Sequence, residues 1–260
     1  MIRFLIIILS TFLLAFGFSE YRHVENDSFK AGENYDYKVK YGFFVIGAAN
    51  VDVDDKIYNL NGRPCFKVNV LGKTAGITDM FKIRNTYRSY IDTTAFIPHK
   101  FIYSARENNY KRDQIINFNH SKNELVKIEK EESKIFTVPD NIQDVISGYY
   151  FLRTVDFSKF AIGQTISSPL FFDEDLYNMK IKYAGKGIVH TKFGKIRVLK
   201  LNPILPKNDL FKGDNAIRIW VSDDKNRVPI KMEIDLSIGT IDMEIKSYQG
   251  QKYPFAWNNS

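Results

Sequence analysis

Apolar and polar residues alternate with a period of two along most of this chain, the spacing that puts one face of a β-strand on a core and the other in water. Tyr35-Asp-Tyr-Lys-Val-Lys-Tyr41 gathers its tyrosines and a valine on one face. Phe43-Phe-Val-Ile-Gly47 is apolar on both faces, as a central strand is, and alternation resumes from Ala48 to Val53. The same reading predicts strands over 65–71, 81–91, 99–107, 113–119 and 124–130. Beyond residue 160 it predicts them over 165–172, 178–184, 187–191, 195–201, 216–221, 228–236 and 240–248. Asn61-Gly62, Asn108-Asn109, His120-Ser-Lys-Asn123, Gly185-Lys-Gly187 and Ser237-Ile-Gly239 mark the turns.

One segment has a helical period instead. Ile142, Val145, Ile146, Tyr149 and Leu152 share a helical face, which predicts a helix over about 140–153 capped by Asp140 or Asn141. Gly148 inside it costs about 1 kcal/mol relative to alanine, a sign of close packing on the sheet. A second short helix is expected around Thr74–Met80. The tail Gln251–Ser260 is polar and aromatic without periodicity, a loose end or a strap over one edge.

Two stretches read as copies of one β-module. Tyr90-Ile-Asp-Thr-Thr-Ala-Phe-Ile-Pro-His-Lys100 and Trp220-Val-Ser-Asp-Asp-Lys-Asn-Arg-Val-Pro-Ile-Lys231 each run from an aromatic and a β-branched residue through a polar turn to an apolar-Pro step. Upstream of each lies a glycine turn and an alternating strand, at Asn61-Gly62 and at Phe193-Gly194. The expected fold is therefore mainly β: a large, strongly curved antiparallel sheet or half-open β-barrel built from two related halves, about 30–137 and 160–250, with the helix between them. So many strands curl rather than stay flat.

Arg3 followed by the apolar run Phe4–Phe18 reads as a signal peptide, with cleavage expected after Ser19. The run is shorter than the roughly 20 residues that span a bilayer. An uncleaved anchor is the alternative. With no cysteine near the cleavage point, a lipoprotein anchor is excluded. The chain is expected to be exported, most simply to a periplasm or an outer-membrane surface, as one β-rich domain over 20–260 with no integral span after cleavage.

The net charge of +7 is spread among the strands without a run of basic residues. That suits a mildly basic soluble surface, or attraction to an anionic partner, and gives no nucleic-acid signature. Cys65 is the single cysteine, so no internal disulfide forms, and its alternating strand makes it a small buried hydrophobe. His23, His99, His120 and His190 lie far apart without metal-site spacing. Asp173-Glu-Asp175 and Asp223-Asp224 lack the glycine and spacing of a calcium loop. No nucleophile elbow or phosphate loop appears, so no cofactor and no enzyme is expected. Two carboxylates meeting in a cleft, as in a glycan hydrolase, are the alternative.

Aromatic residues make up 15% of the chain, many of them in strands. A curved sheet covered by one helix would leave apolar surface for a lipid-like ligand. Phe43, Tyr103, Phe171 and Trp220 are the candidate lining of such a groove. The competing reading is a scaffold that binds an envelope protein through its outside.

Three motifs together resemble the bacterial domain-of-unknown-function family 3108. They are Gly32-Glu-Asn-Tyr-Asp-Tyr-Lys-Val-Lys-Tyr-Gly-Phe-Phe-Val-Ile-Gly47, Gln143-Asp-Val-Ile-Ser-Gly-Tyr-Tyr-Phe-Leu-Arg153 and Ile219-Trp-Val-Ser-Asp-Asp-Lys-Asn-Arg-Val-Pro-Ile-Lys231. The resemblance implies an exported protein with a fold like the half-open barrels of periplasmic lipoprotein carriers, and no settled activity. The motif residues Asp144, Tyr149, Arg153, Trp220, Asp223, Asp224 and Pro229 have structural readings of their own. Arg153 would reach a carboxylate or a backbone carbonyl at the helix end, Asp223 and Asp224 would bond their own turn, and Pro229 would mark an edge or a bulge.

Overall fold

The computed structural model describes residues 21–75, 82–204, 212, 213 and 215–255. The expected signal peptide and most of the expected second helix lie outside them. Among these described residues fourteen strands form one antiparallel sheet. They are β1 (Asn34–Tyr41), β2 (Phe44–Leu60), β3 (Arg63–Thr74), β4 (Arg84–Asp92), β5 (Pro98–Glu107), β6 (Tyr110–Asn119), β7 (Glu124–Glu129) and β8 (Glu132–Thr137), then β9 (Thr165–Phe172), β10 (Asp175–Thr191), β11 (Gly194–Ile204), β12 (Ile217–Ser222), β13 (Pro229–Leu236) and β14 (Gly239–Gln249). Helix α1 (Val145–Thr154) joins the halves.

Each half is a simple meander, but the halves are stitched through the chain ends: β1 pairs with β14 in the middle of the sheet, leaving β8 and β9 at its edges. The edges meet at a seam. Gln143, just before α1, pairs with Leu170 of β9 as a parallel bridge, and the Phe136 and Phe171 rings meet edge-on at 5.0 Å. Curling brings the seam together and lets α1 pack on both β4 and β9.

The interior is filled. Val53, Val68, Ile91, Phe101 and Phe118 pack around Ile142, Ile146 and Tyr150 at the start of α1. Leu152 at its end packs with Phe157, Ile181, Leu199 and Val221. Tyr35, Tyr37, Ile230, Ile245 and Tyr248 form a third cluster, which Phe255 of the tail joins. The tail is a strap as far as residue 255.

The repeat is real at the level of register. Asp92 and Ser222 each donate a backbone N–H across the loop, to Ile97 O at 2.9 Å and Val228 O at 2.8 Å. Both loops hold a left-handed residue two positions before the proline, Phe96 at φ 53° and Arg227 at φ 46°. Ile91 then pairs with Pro98, and Val221 with Pro229, each beside a β-bulge. Pro229 thus begins a strand at a bulge within the sheet, where its missing N–H is tolerated.

Several boundaries differ from the sequence reading. Gly185-Lys-Gly187 is not a turn. It lies within β10, where the register against β11 slips between Tyr183 and Lys186 and Gly185 takes φ 95°. One strand with a bulge imitates two strands, because alternation fails locally. β2 likewise runs through 17 residues with a shift between Val53 and Ile57. Helix α1 starts later than expected, since Asp144 and not Asp140 or Asn141 caps it. Strand β8 was not expected; as an exposed edge rich in charge, it has no buried face to generate alternation.

Candidate functional site

The capping geometry of α1 sets the floor of a cleft at the seam. The Asp144 carboxylate accepts from Ile146 N at 2.8 Å and Ser147 N at 2.7 Å, and Ser147 Oγ accepts from Asp144 N at 2.9 Å, a reciprocal capping box. Ser89 of β4 donates to the other carboxylate oxygen at 2.6 Å. Burial nevertheless pushes the Asp144 carboxyl up to about 6 against these donors.

Above this cap, Tyr87, Phe101, Tyr103, Gln114 and Ile116 from β4–β6 face Phe171 and Phe172 of β9 across a cleft of about 160 Å³. The Tyr87 and Tyr103 rings stack at 4.8 Å. Burial raises the Tyr87 hydroxyl to about 12 and also raises Tyr103. The walls are thus aromatic and uncharged, with Arg112 and Asp173 at the mouth.

A polar clasp closes the seam beside the cleft. The β9–β10 turn is Asp173-Glu174, both left-handed at φ 47° and 70°. Glu174 binds Lys127 of β7 and, at 2.9 Å, Lys134 of β8; those two ammonium groups hold its carboxyl down at about 2. Arg112 of β6 takes Glu129 through two nitrogens, at 2.9 and 3.0 Å, and approaches Asp173 at 3.4 Å. Hydrogen bonding to Glu129 raises the Arg112 guanidinium further.

Of the candidate ligand residues, the structure brings Tyr103 and Phe171 together in this cleft. It does not bring Phe43 or Trp220 there. Phe43 is fully exposed at the tip of the β1–β2 turn. Trp220 lines a separate depression with Lys40, Lys231, Asp242 and Glu244. A continuous groove through all four residues is corrected to a short cleft, because α1 and three apolar clusters occupy the space a longer groove would need.

The other motif residues build the fold. Arg153 reaches Glu33 with two N···O contacts of 2.5 and 2.7 Å and the Asn226 carbonyl at 2.7 Å. Asp224 accepts from the N–H groups of Asn226 and Arg227, bonding its own turn, whereas Asp223 instead takes Lys186 at 2.9 Å. Tyr149 is half-buried, and its hydroxyl is shielded from water without a hydrogen-bond partner among the described residues. Cys65 is buried, which pushes its thiol up to about 12.

Sequence spacing missed a polar cluster at the opposite rim. His99 and His120, expected to lie apart, meet at 5.5 Å between ring centroids. Asp92 joins His99 at 3.3 Å and Arg63 at 2.6 Å, while His120 Nε2 sits 2.7 Å from Pro98 O. The histidines flank one hairpin, β5–β6, so only the register reveals the contact. Both His99 nitrogens are committed, one to Asp92 and one to Asn61, so the cluster locks a loop. Among the described residues no three histidine, cysteine or acidic side chains gather in a metal-binding group.

The family model for "protein of unknown function (DUF3108)" matches residues 36–246. The chain belongs to this family. Among solved structures, the DUF3108 chain is similar to a β-barrel-like DUF1849 protein from Brucella abortus, with a TM-score of 0.55 at 11% identity over 85% of this chain and 99% of that one. That likeness carries the fold. A candidate exported protein with a YmcC-like fold from Bacteroides fragilis gives a TM-score of 0.33 at 10% identity, covering 87% of this chain and all of the other. No curated protein matches the DUF3108 chain in sequence. Among the described residues no helix is long and apolar enough to cross a membrane.

Proposed function

We propose that this is an exported, non-enzymatic binding protein whose seam cleft takes the apolar part of a hydrophobic or lipid-like ligand. The observation that carries the reading is the aromatic lining, Tyr87, Phe101, Tyr103 and Phe171, gathered around about 160 Å³ beside a dissociable polar clasp. A dry apolar cavity of about 150 Å³ is enough to hold a benzene ring. The cleft therefore suits a ring or a few methylenes, and a longer acyl chain would need the seam to part. Export rests on the apolar run Phe4–Phe18 behind Arg3. The non-enzymatic reading is supported by the state of the cleft carboxylates: Asp144 is engaged by its cap and Ser89, and Asp173 by Arg112.

Native mass spectrometry with lipid extraction on the chain from residue 20 tests this. A co-purifying amphiphile is the expected result. Protein that is ligand-free and takes up no apolar probe would overturn it. The second reading, an envelope scaffold binding a protein partner, is favoured by the filled interior and by the exposed edge strand β8, where Ile135 is 70% exposed. A specific envelope protein that survives stringent washing would support it.

A further inference from the structure

Antiparallel alternation puts the turns after β1, β3, β5, β7, β9, β11 and β13 on one rim of the barrel, and this rim is unlike its opposite. The opposite rim is sealed: Arg22 binds the Ala95 and Phe96 carbonyls at 2.7 and 2.8 Å, and Arg153 binds Asn226 O in the repeated loop. The first rim instead carries bare apolar tips. Phe43 is 100% exposed, Phe44 60% and Ile238 79%, and the two turns that hold them touch, with Gly42 N donating to Thr240 O and Tyr41 donating to Ile238 O. Tyr110, Phe172 and Leu176 are further exposed apolar residues on the same rim, the last two on either side of the acidic β9–β10 turn.

Cations border these tips. Lys73, Lys82 and Arg84, at the ends of β3 and β4 next to the β1–β2 tip, are exposed and in no ion pair among the described residues. Of the nearby carboxylates, Asp235 is paired with Arg218, Asp242 with Lys231 and Glu244 with Lys40, while Glu107 accepts from the uncharged Asn85 amide. Acidic turn residues, Glu131 and Asp173-Glu174-Asp175, sit on the arc of the rim at the seam of β8 and β9, away from the β1–β2 tip. Phenyl rings projecting past a collar of unpaired cations match the layering of an anionic bilayer, with acyl chains beneath phosphates.

We propose that this rim docks on an anionic lipid surface, with Phe43, Phe44 and Ile238 in the headgroup–acyl boundary and Lys73, Lys82 and Arg84 against phosphates. The inference stands apart from the ligand reading, although Asp173 and Arg112 place the mouth of the cleft on the same rim.

The test is co-sedimentation of the chain from residue 20, which includes every described residue and lacks the apolar leader that would itself partition. The vesicles are phosphatidylglycerol–phosphatidylethanolamine in one series and phosphatidylcholine in the other. Binding is expected to the anionic vesicles only and to weaken with salt. It should fall about tenfold or more in F43S/F44S, whose exposed side chains leave the melting temperature in place, and likewise in K73E/K82E/R84E. A wild-type chain left in the supernatant overturns the proposal, as does an F43S/F44S variant that sediments like wild type. So does a tip-dependent change in oligomeric mass without vesicle binding, which would make the tips a protein interface.

Discussion

Arg153 and Glu33, 120 positions apart in sequence, form a two-pronged ion pair in which both side chains are out of water. Three parts of the chain converge on it. Arg153 lies in the last turn of helix α1 and holds the loop carbonyl of Asn226, while Glu33 immediately precedes β1 and accepts from Tyr248 of β14 at 2.8 Å. The guanidinium also lies over the Phe29 and Tyr150 rings, at 5.0 and 5.3 Å. One residue thus fixes the helix, the central β1–β14 pairing and one copy of the repeated loop.

Removing either partner leaves a charge buried and unpaired, which costs about 3–5 kcal/mol. R153M and E33Q should each lower the unfolding free energy obtained from urea titration by that amount, and R153M/E33Q should cost clearly less than the sum. Additive losses, or single variants within about 1 kcal/mol of wild type, would show that the pair does not hold the fold.

The sealed rim should be acid-labile in two steps. Burial brings His120 from 6.5 down to about 4. Between those values the unfolded chain binds a proton that the folded chain refuses, so stability falls as pH falls, by up to about 3 kcal/mol. Asp92 acts lower. Although burial opposes its charge, His99, Arg63 and the Ala95 and Thr94 amides hold its carboxyl below the usual range. The stability it gives is present above about pH 4 and is lost as pH drops further. H120Q should abolish the fall in stability from pH 6.5 to 4, leaving the opposite trend of Asp144, whose raised carboxyl takes up its proton first in the folded chain, and D92N should act only below 4. A wild-type slope between pH 6.5 and 4 in H120Q would refute the assignment.

The clasp predicts a trade between backbone and charge. Two left-handed non-glycine residues in a two-residue turn are costly, and Asn-Gly is the pair that such turns prefer. D173N/E174G should relax the backbone while cutting the links to Arg112, Lys127 and Lys134. Hydrogen exchange of β8 and β9 amides should then quicken about tenfold, with global stability changed by less than about 1 kcal/mol. Unaltered exchange at both edges would mean that the Phe136–Phe171 contact and the Gln143–Leu170 bridge close the seam without the clasp.

Strand positions, the helix and the repeat were legible because each has a local cause: alternation, a helical face, or a left-handed residue set before a proline. Arg153 was legible as a helix-end cation in search of a carboxylate or a carbonyl, and it found both. What local pattern does not encode is which strands meet. The β1–β14 pairing depends on how the two meanders join, the His99–His120 contact on the register of the β5–β6 hairpin, and the Glu174 clasp on how far the sheet curls, and alternation alone contains none of these. The same limit explains the ligand residues. Tyr103 and Phe171 share a cleft because the seam closes over them, while Phe43 falls on a rim and Trp220 on a separate depression.

That separation makes the cleft testable against a continuous groove. N-phenyl-1-naphthylamine should bind the wild-type chain with a fluorescence gain and be displaced by amphiphiles. Tyr103 is half-buried and stacked on Tyr87, so Y103A removes an aromatic wall worth about 0.5–1.5 kcal/mol beyond its area. Its probe affinity should fall about tenfold, with a stability loss small enough to keep the fold at room temperature. W220A should leave the affinity unchanged, since Trp220 lies in the separate depression with Lys231 and Glu244. Equal loss in both variants would restore the continuous groove, and loss in W220A alone would move the binding site out of the seam.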